Sequence, residues 1–85
     1  MSELSKLPNV GKVLQANLIA VGVETPEQLR DLGSKKVFAL IRQQADPGAC
    51  LHMLYGIEGA VEGIPDKFLS PETKEDLRIY YNLLG

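Results

Sequence analysis

At 85 residues, 45% apolar and 24% charged, the chain has the make-up of an ordinary folded domain able to bury roughly 60 to 65% of its unfolded surface, and a disordered tail is excluded. Its one cysteine, Cys50, cannot form an internal disulfide, and one cysteine with one histidine falls short of a zinc ligand set; neither a metal nor a cofactor is implied. The formal charge of −2 hides an asymmetry: residues 1–45 carry six Lys and Arg against four Asp and Glu, net +2, and residues 46–85 carry three against seven, net −4, so an anion is expected on the first half if anywhere.

The opening MSELSK has neither an apolar targeting core nor an Arg-rich amphipathic stretch, so no targeting peptide is expected and the cytoplasm is the expected location. From Val10, the residues Val13, Leu14, Leu18 and Val21 recur at helical spacing, and Gly22 stands where a left-handed cap is wanted. Thr25-Pro26 starts a second helix with Leu29 and Leu32, since a side-chain oxygen at N-cap and proline at N1 suit a first turn; Thr25 and Gln28 have the spacing of a capping box. Gly33 ends it. Ser34 is expected to cap a third helix, with Val37, Leu40 and Ile41 as its stripe. Asp46-Pro47 should then open a fourth holding Cys50, Leu54, Ile57 and Val61 and ending at Gly63. Ser70-Pro71 opens the last, whose seam is Leu77, Tyr80, Tyr81 and Leu84.

No segment alternates with the period of a strand. The expectation is one all-α domain over residues 1–85, a compact bundle of five short helices joined by short loops. The apolar-rich run Ala49–Val61 is shorter than the roughly 20 residues that span a bilayer, so no membrane segment is expected. The fourth helix, apolar on most sides, should be central. Its Gly56 and Gly59 each cost about 1 kcal/mol relative to alanine in a helix interior, and close packing of another helix or a loop on a strip of Gly56, Gly59, Ala60 and Gly63 is the expected offset.

Chemistry-bearing pairs are sparse. Cys50 and His52, two residues apart on a helix, would point about 200° from each other and cannot pair as nucleophile and base; Cys50 reads as a small buried hydrophobe and His52 as a boundary residue. Glu58 and Glu62 read as a solvated face. No Gly-rich nucleotide loop is present, and no enzyme is expected. LPNVGK, Leu7–Lys12, stands apart: Pro-x-x-Gly directly before a helix exposes N–H groups, and glycine admits a close backbone or phosphate. A plain helix-to-helix turn fits the same residues. The candidate contacts are Asn9, Val10, Gly11 and Lys12.

The phrase LPNVGKVLQANLIAVGVETPEQLRDLG, Leu7–Gly33, resembles the second half of a helix-hairpin-helix unit with its downstream helix. The matching places are Leu7, Pro8, Val10 and Gly11, then Gly22, Val23, Thr25, Glu27 and Leu29; Asn9 stands where the hairpin has its first glycine, and Asn tolerates left-handed backbone. With GSKKVFALIR and ACLHMLYGIEGA added, the chain from about Leu4 to Tyr81 is similar to the carboxy-terminal domain of the TfoX/Sxy family, bacterial regulators of natural competence (DNA transformation). The resemblance implies a non-enzymatic regulatory module acting in transcription with another transcription regulator, and hairpin N–H groups that touch a sugar-phosphate backbone weakly and without reading bases. A protein-protein interaction domain without nucleic-acid contact is the alternative. Full-length members carry an amino-terminal α+β domain ahead of this one, so the chain is expected to be a stand-alone domain or a piece of a longer protein.

Overall fold

Turn chemistry decides where each helix begins and ends. The computed structural model describes residues 3–84, and among them the chain is all-α: α1 (Lys12–Ala20), α2 (Pro26–Leu32), α3 (Ser34–Gln44), α4 (Leu51–Glu62) and α5 (Pro71–Leu84), with 3-10 turns at Glu3–Lys6 and Asp66–Phe68. At the end of α1 the Gly22 N–H bonds the Ile19 carbonyl and the Val23 N–H bonds that of Leu18, the paired closure that a glycine at positive φ allows. Buried Leu18 and Val23 meet beneath it. Thr25 closes the capping box with Gln28, Oγ1 accepting from the Gln28 N–H at 3.1 Å and Oε1 accepting from the Thr25 N–H at 3.2 Å. Ser70 caps α5 through the Thr73 N–H at 3.0 Å.

Two expected caps are corrected. Ser34 is the first residue of α3, not its cap; Gly33, at φ 83° and ψ 158°, joins α2 to α3 in a conformation only glycine adopts readily, and the buried Ser34 hydroxyl donates to Glu58 Oε1 at 2.5 Å. Asp46-Pro47 does not open α4. Asp46 Oδ1 accepts from the Gly48 N–H at 3.0 Å, the Ala49 N–H returns to the Asp46 carbonyl at 3.1 Å, and the helix starts only at Leu51 with Cys50 as N-cap. Asp-Pro-Gly makes a β-turn from the same residues that make a cap, and the buried Ala49 fixes that turn to the core.

The core gathers Leu4, Leu18, Val23, Leu29, Val37, Phe38, Ile41, Leu54, Ile57 and Leu77. Helix α4 is the central element, packed against α2, α3, α5 and the Asp66–Phe68 turn. Some apolar assignments shift. Val13 is 72% exposed, so the buried stripe of α1 is Leu14 and Leu18; in α3, Phe38 is buried and Leu40 only partly so. Cys50, outside the helix, is exposed and not in the core. On α5, the Tyr80 hydroxyl donates to the Lys35 carbonyl at 3.2 Å, and the Tyr81 ring meets Phe38 with centroids 5.9 Å apart, which ties the last helix to α3. The Arg42 guanidinium lies over both rings, 5.8 Å from Phe38 and 5.1 Å from Tyr81.

Candidate nucleic-acid interface

The site is built from a turn and the first turn of a helix. Leu4, fully buried, pins the Glu3–Lys6 3-10 turn to the core. The chain then reverses through Leu7-Pro8-Asn9-Val10, with the Leu7 N–H on the Leu4 carbonyl and the Val10 N–H reaching the Leu7 carbonyl at 3.4 Å. Pro8 fixes a negative φ and Asn9 stands at φ 69°, the combination of a type II turn. Asn9 meets that demand where glycine is usual, because its short side chain tolerates left-handed backbone.

The Asn9 side chain is spent inside the fold. Its Nδ2 donates to the Gly56 carbonyl at 3.3 Å and the Ile64 carbonyl at 3.1 Å, and its Oδ1 accepts from the Asp66 N–H at 3.2 Å. A β-carbon on Gly59 would collide with this Nδ2 and would stand 2.7 Å from the Ile64 carbonyl oxygen; one on Gly56 would meet Asn9 Cβ at 3.6 Å. Gly59 therefore makes room for the hairpin turn and for the segment after α4, loops and not another helix, whereas Gly56 would bear a β-carbon at ordinary contact distance. Gly63 has open space around it and serves α4 as a left-handed cap at φ 78°, a correction to the close-packing role expected of it.

Val10 is partly buried against the core. Gly11 is the N-cap of α1, extended at φ −91° and ψ −172°, and gives no side-chain cap bond. A β-carbon there would meet nothing within 4 Å, so neither its backbone nor its surroundings require glycine. The first N–H to bond back into the helix is that of Gln15, on the Gly11 carbonyl at 2.9 Å. Within the described residues the N–H groups of Gly11, Lys12, Val13 and Leu14 have no acceptor, the open donor set of an uncapped helix start, with the positive end of the helix dipole behind it. Lys12 is exposed at this edge.

The open donors border a cleft of about 550 Å³ shared with Met53, His52 and Asp66. Its charge is mixed: Lys12 is joined by the Asp66 carboxylate, and His52 Nε2 lies 3.5 Å from Asp66 Oδ2. The sequence reading missed Asp66 here because it lies 57 residues from Asn9, a separation no local pattern spans. Val13, an exposed apolar side chain in the same first turn, was missed because helical spacing assigned it to the core. Cys50 lines the cleft as well, and among the described residues no group of three or more His, Cys, Asp or Glu is placed to share a metal ion. Among the described residues no helix is long and apolar enough to cross a membrane.

Of the two glutamates expected on a solvated face, Glu62 is exposed and Glu58 is not. Glu58 is partly buried by its bond from Ser34, and the Glu62 carboxyl is held above its ordinary range first by its hydrogen bond with Glu58, with smaller contributions from desolvation and from the Glu58 charge.

Comparison with known proteins agrees with this architecture. Two solved structures are similar along nearly the whole chain: an uncharacterized protein from Listeria monocytogenes in a triclinic form, 43% identical with a TM-score of 0.92 over 95% of this chain and 91% of that one, and a protein of unknown function from Listeria monocytogenes in a tetragonal form, 42% identical with a TM-score of 0.94 over 98% of this chain and 100% of that one. Among curated proteins none matches the sequence. The family model for the TfoX C-terminal domain matches residues 1–81, and the chain belongs to that family.

Proposed function

We propose that the domain is a non-enzymatic regulatory module, related to the TfoX/Sxy competence regulators of bacteria, that acts in the cytoplasm and meets a nucleic-acid backbone at the start of α1. The observation that supports this reading is the set of unpaired N–H groups from Gly11 to Leu14 with Lys12 beside them. Gly11 and Lys12 are the contacting residues; Asn9 and Val10 shape the turn. One helix start and one lysine reach few phosphates, and each phosphate neutralised contributes a salt slope of about −0.9, so the contact is weak and indifferent to sequence. Asp66 opposes it from across the cleft. A transcription regulator as protein partner, which the family resemblance suggests, would supply the affinity that this surface lacks.

A second reading rests on Val13, which is 72% exposed in the same first turn and lines the cleft together with Leu14 and Met53: an apolar wall there suits a protein partner better than a phosphate. An NMR titration of labelled protein with a short duplex, at low and then at physiological salt, separates the two. Amide shifts confined to Gly11–Leu14 that fade as salt rises support backbone contact. Silence at low salt would retire it and leave the protein-interaction domain.

A further inference from the structure

The segment after α4 is held at two ends and in the middle. Gly63, in left-handed backbone, is where it leaves the helix, and Leu69, 4% exposed, is where it returns to the core. Between them the Ile64 N–H bonds the Gly59 carbonyl of α4 at 2.9 Å, and two further backbone groups are met by a residue from the other end of the chain. The Ile64 carbonyl receives the Asn9 amide and the Asp66 N–H donates to the Asn9 carbonyl. Asn9 is suited to this by chemistry as well as by φ. Among short side chains only a carboxamide carries two N–H donors and a carbonyl acceptor on separate atoms; aspartate would lack the donors, and glycine would keep the turn while leaving both groups unpaired. Gly59 completes the fit, since a β-carbon there would occupy the place of the Asn9 amide.

We infer that Asn9 is a conformational latch, holding the Ile64–Phe68 strap against the hairpin so that the strap opens locally, pivoting between Gly63 and Leu69, when the carboxamide is lost. Opening widens the cleft lined by Lys12, His52 and Asp66 and uncovers the small-residue face of α4 at Gly56 and Gly59. It also frees Lys67 and Phe68, an exposed aromatic with the Lys67 ammonium 5.3 Å from its ring centre, which the strap carries with it. This device does not depend on nucleic-acid contact at the hairpin.

Hydrogen exchange of the full chain carrying Asn9→Gly tests it. Glycine retains the left-handed turn, so the variant keeps its fold. The Asp66 amide should exchange roughly tenfold faster than in wild type, as expected for one lost hydrogen bond, with Leu18 and Ile57 unchanged. Gly59→Ala, whose β-carbon would meet the same amide and would also stand 2.7 Å from the Ile64 carbonyl oxygen and 3.3 Å from the Asp66 nitrogen, disturbs latch and strap together and should accelerate Asp66 at least as much. Unchanged exchange at Asp66 in both variants overturns the latch. So does a uniform acceleration of every amide, because Asn9 would then support the whole fold and not a local opening.

Discussion

The turns Leu7–Val10 and Asp46–Ala49 both carry proline at their second position, and both lead to a helix whose N-cap, Gly11 or Cys50, offers no side-chain hydrogen bond. They are held shut in different ways. The second turn is closed by its own residues, Asp46 reaching two positions ahead to the Gly48 N–H, and is anchored by buried Ala49. The first is closed by backbone at 3.4 Å and by a side chain whose three partners lie 47 to 57 residues away. A local turn tolerates the loss of its side-chain bond, because backbone and anchor remain. A turn closed across the fold joins the hairpin to α4 and the strap, so its loss is felt in two segments.

Alanine at each polar turn residue should separate them most widely. Asn9→Ala removes three hydrogen bonds and leaves a β-carbon in left-handed backbone, at a cost of about 1 to 3 kcal/mol. Asp46→Ala removes one exposed bond and should cost under about 1 kcal/mol. Urea unfolding of both variants gives the comparison, and equal midpoints would mean that the long-range bonds of Asn9 carry no net stability.

The same contrast explains what the sequence could show. The Thr25 and Ser70 caps and the Gly22 and Gly63 ends rest on contacts within a few residues, and these were legible; the central place of α4, though made by tertiary contacts, was legible because the helix is apolar on most sides. The start of α4 was misplaced because aspartate followed by proline is both a cap and a turn; Gly48, a poor helix former, and the burial of Ala49 decide between them, and burial is a tertiary fact. At the candidate site, the tolerance of Asn9 for positive φ was legible. Its bonds to Gly56, Ile64 and Asp66 were not, and neither was the exposure of Val13, since a helical stripe read from spacing does not tell which edge a neighbour covers.

Gly56 and Gly59 offer a smaller and sharper test within α4. Alanine at 59 gains helix propensity of up to about 1 kcal/mol, yet it drives a β-carbon into the Asn9 amide and to 2.7 Å from the Ile64 carbonyl oxygen. Overpacking of this kind costs about 1 to 3 kcal/mol, so a net loss of about 1 to 2 kcal/mol is expected. Alanine at 56 finds Asn9 Cβ at 3.6 Å, an ordinary contact, and should be neutral or stabilising. If both variants melt together, the amide does not occupy the Gly59 notch and the first turn is no more tied to α4 than the second.

The smallest effect is expected from a group that belongs to neither turn. Glu62, in the last turn of α4, has its folded-state pKa raised above the 4.5 of a free glutamate, chiefly by its hydrogen bond with Glu58. A raised carboxyl is a net cost to the folded state at neutral pH; as pH falls through the folded value the folded chain takes its proton first, and the cost is gone once pH is below the free value. Glu62 is exposed, so screening reduces the effect to a few tenths of a kcal/mol. Glu62→Gln should therefore be slightly more stable than wild type at pH 7, with the two thermal midpoints converging below about pH 4.5.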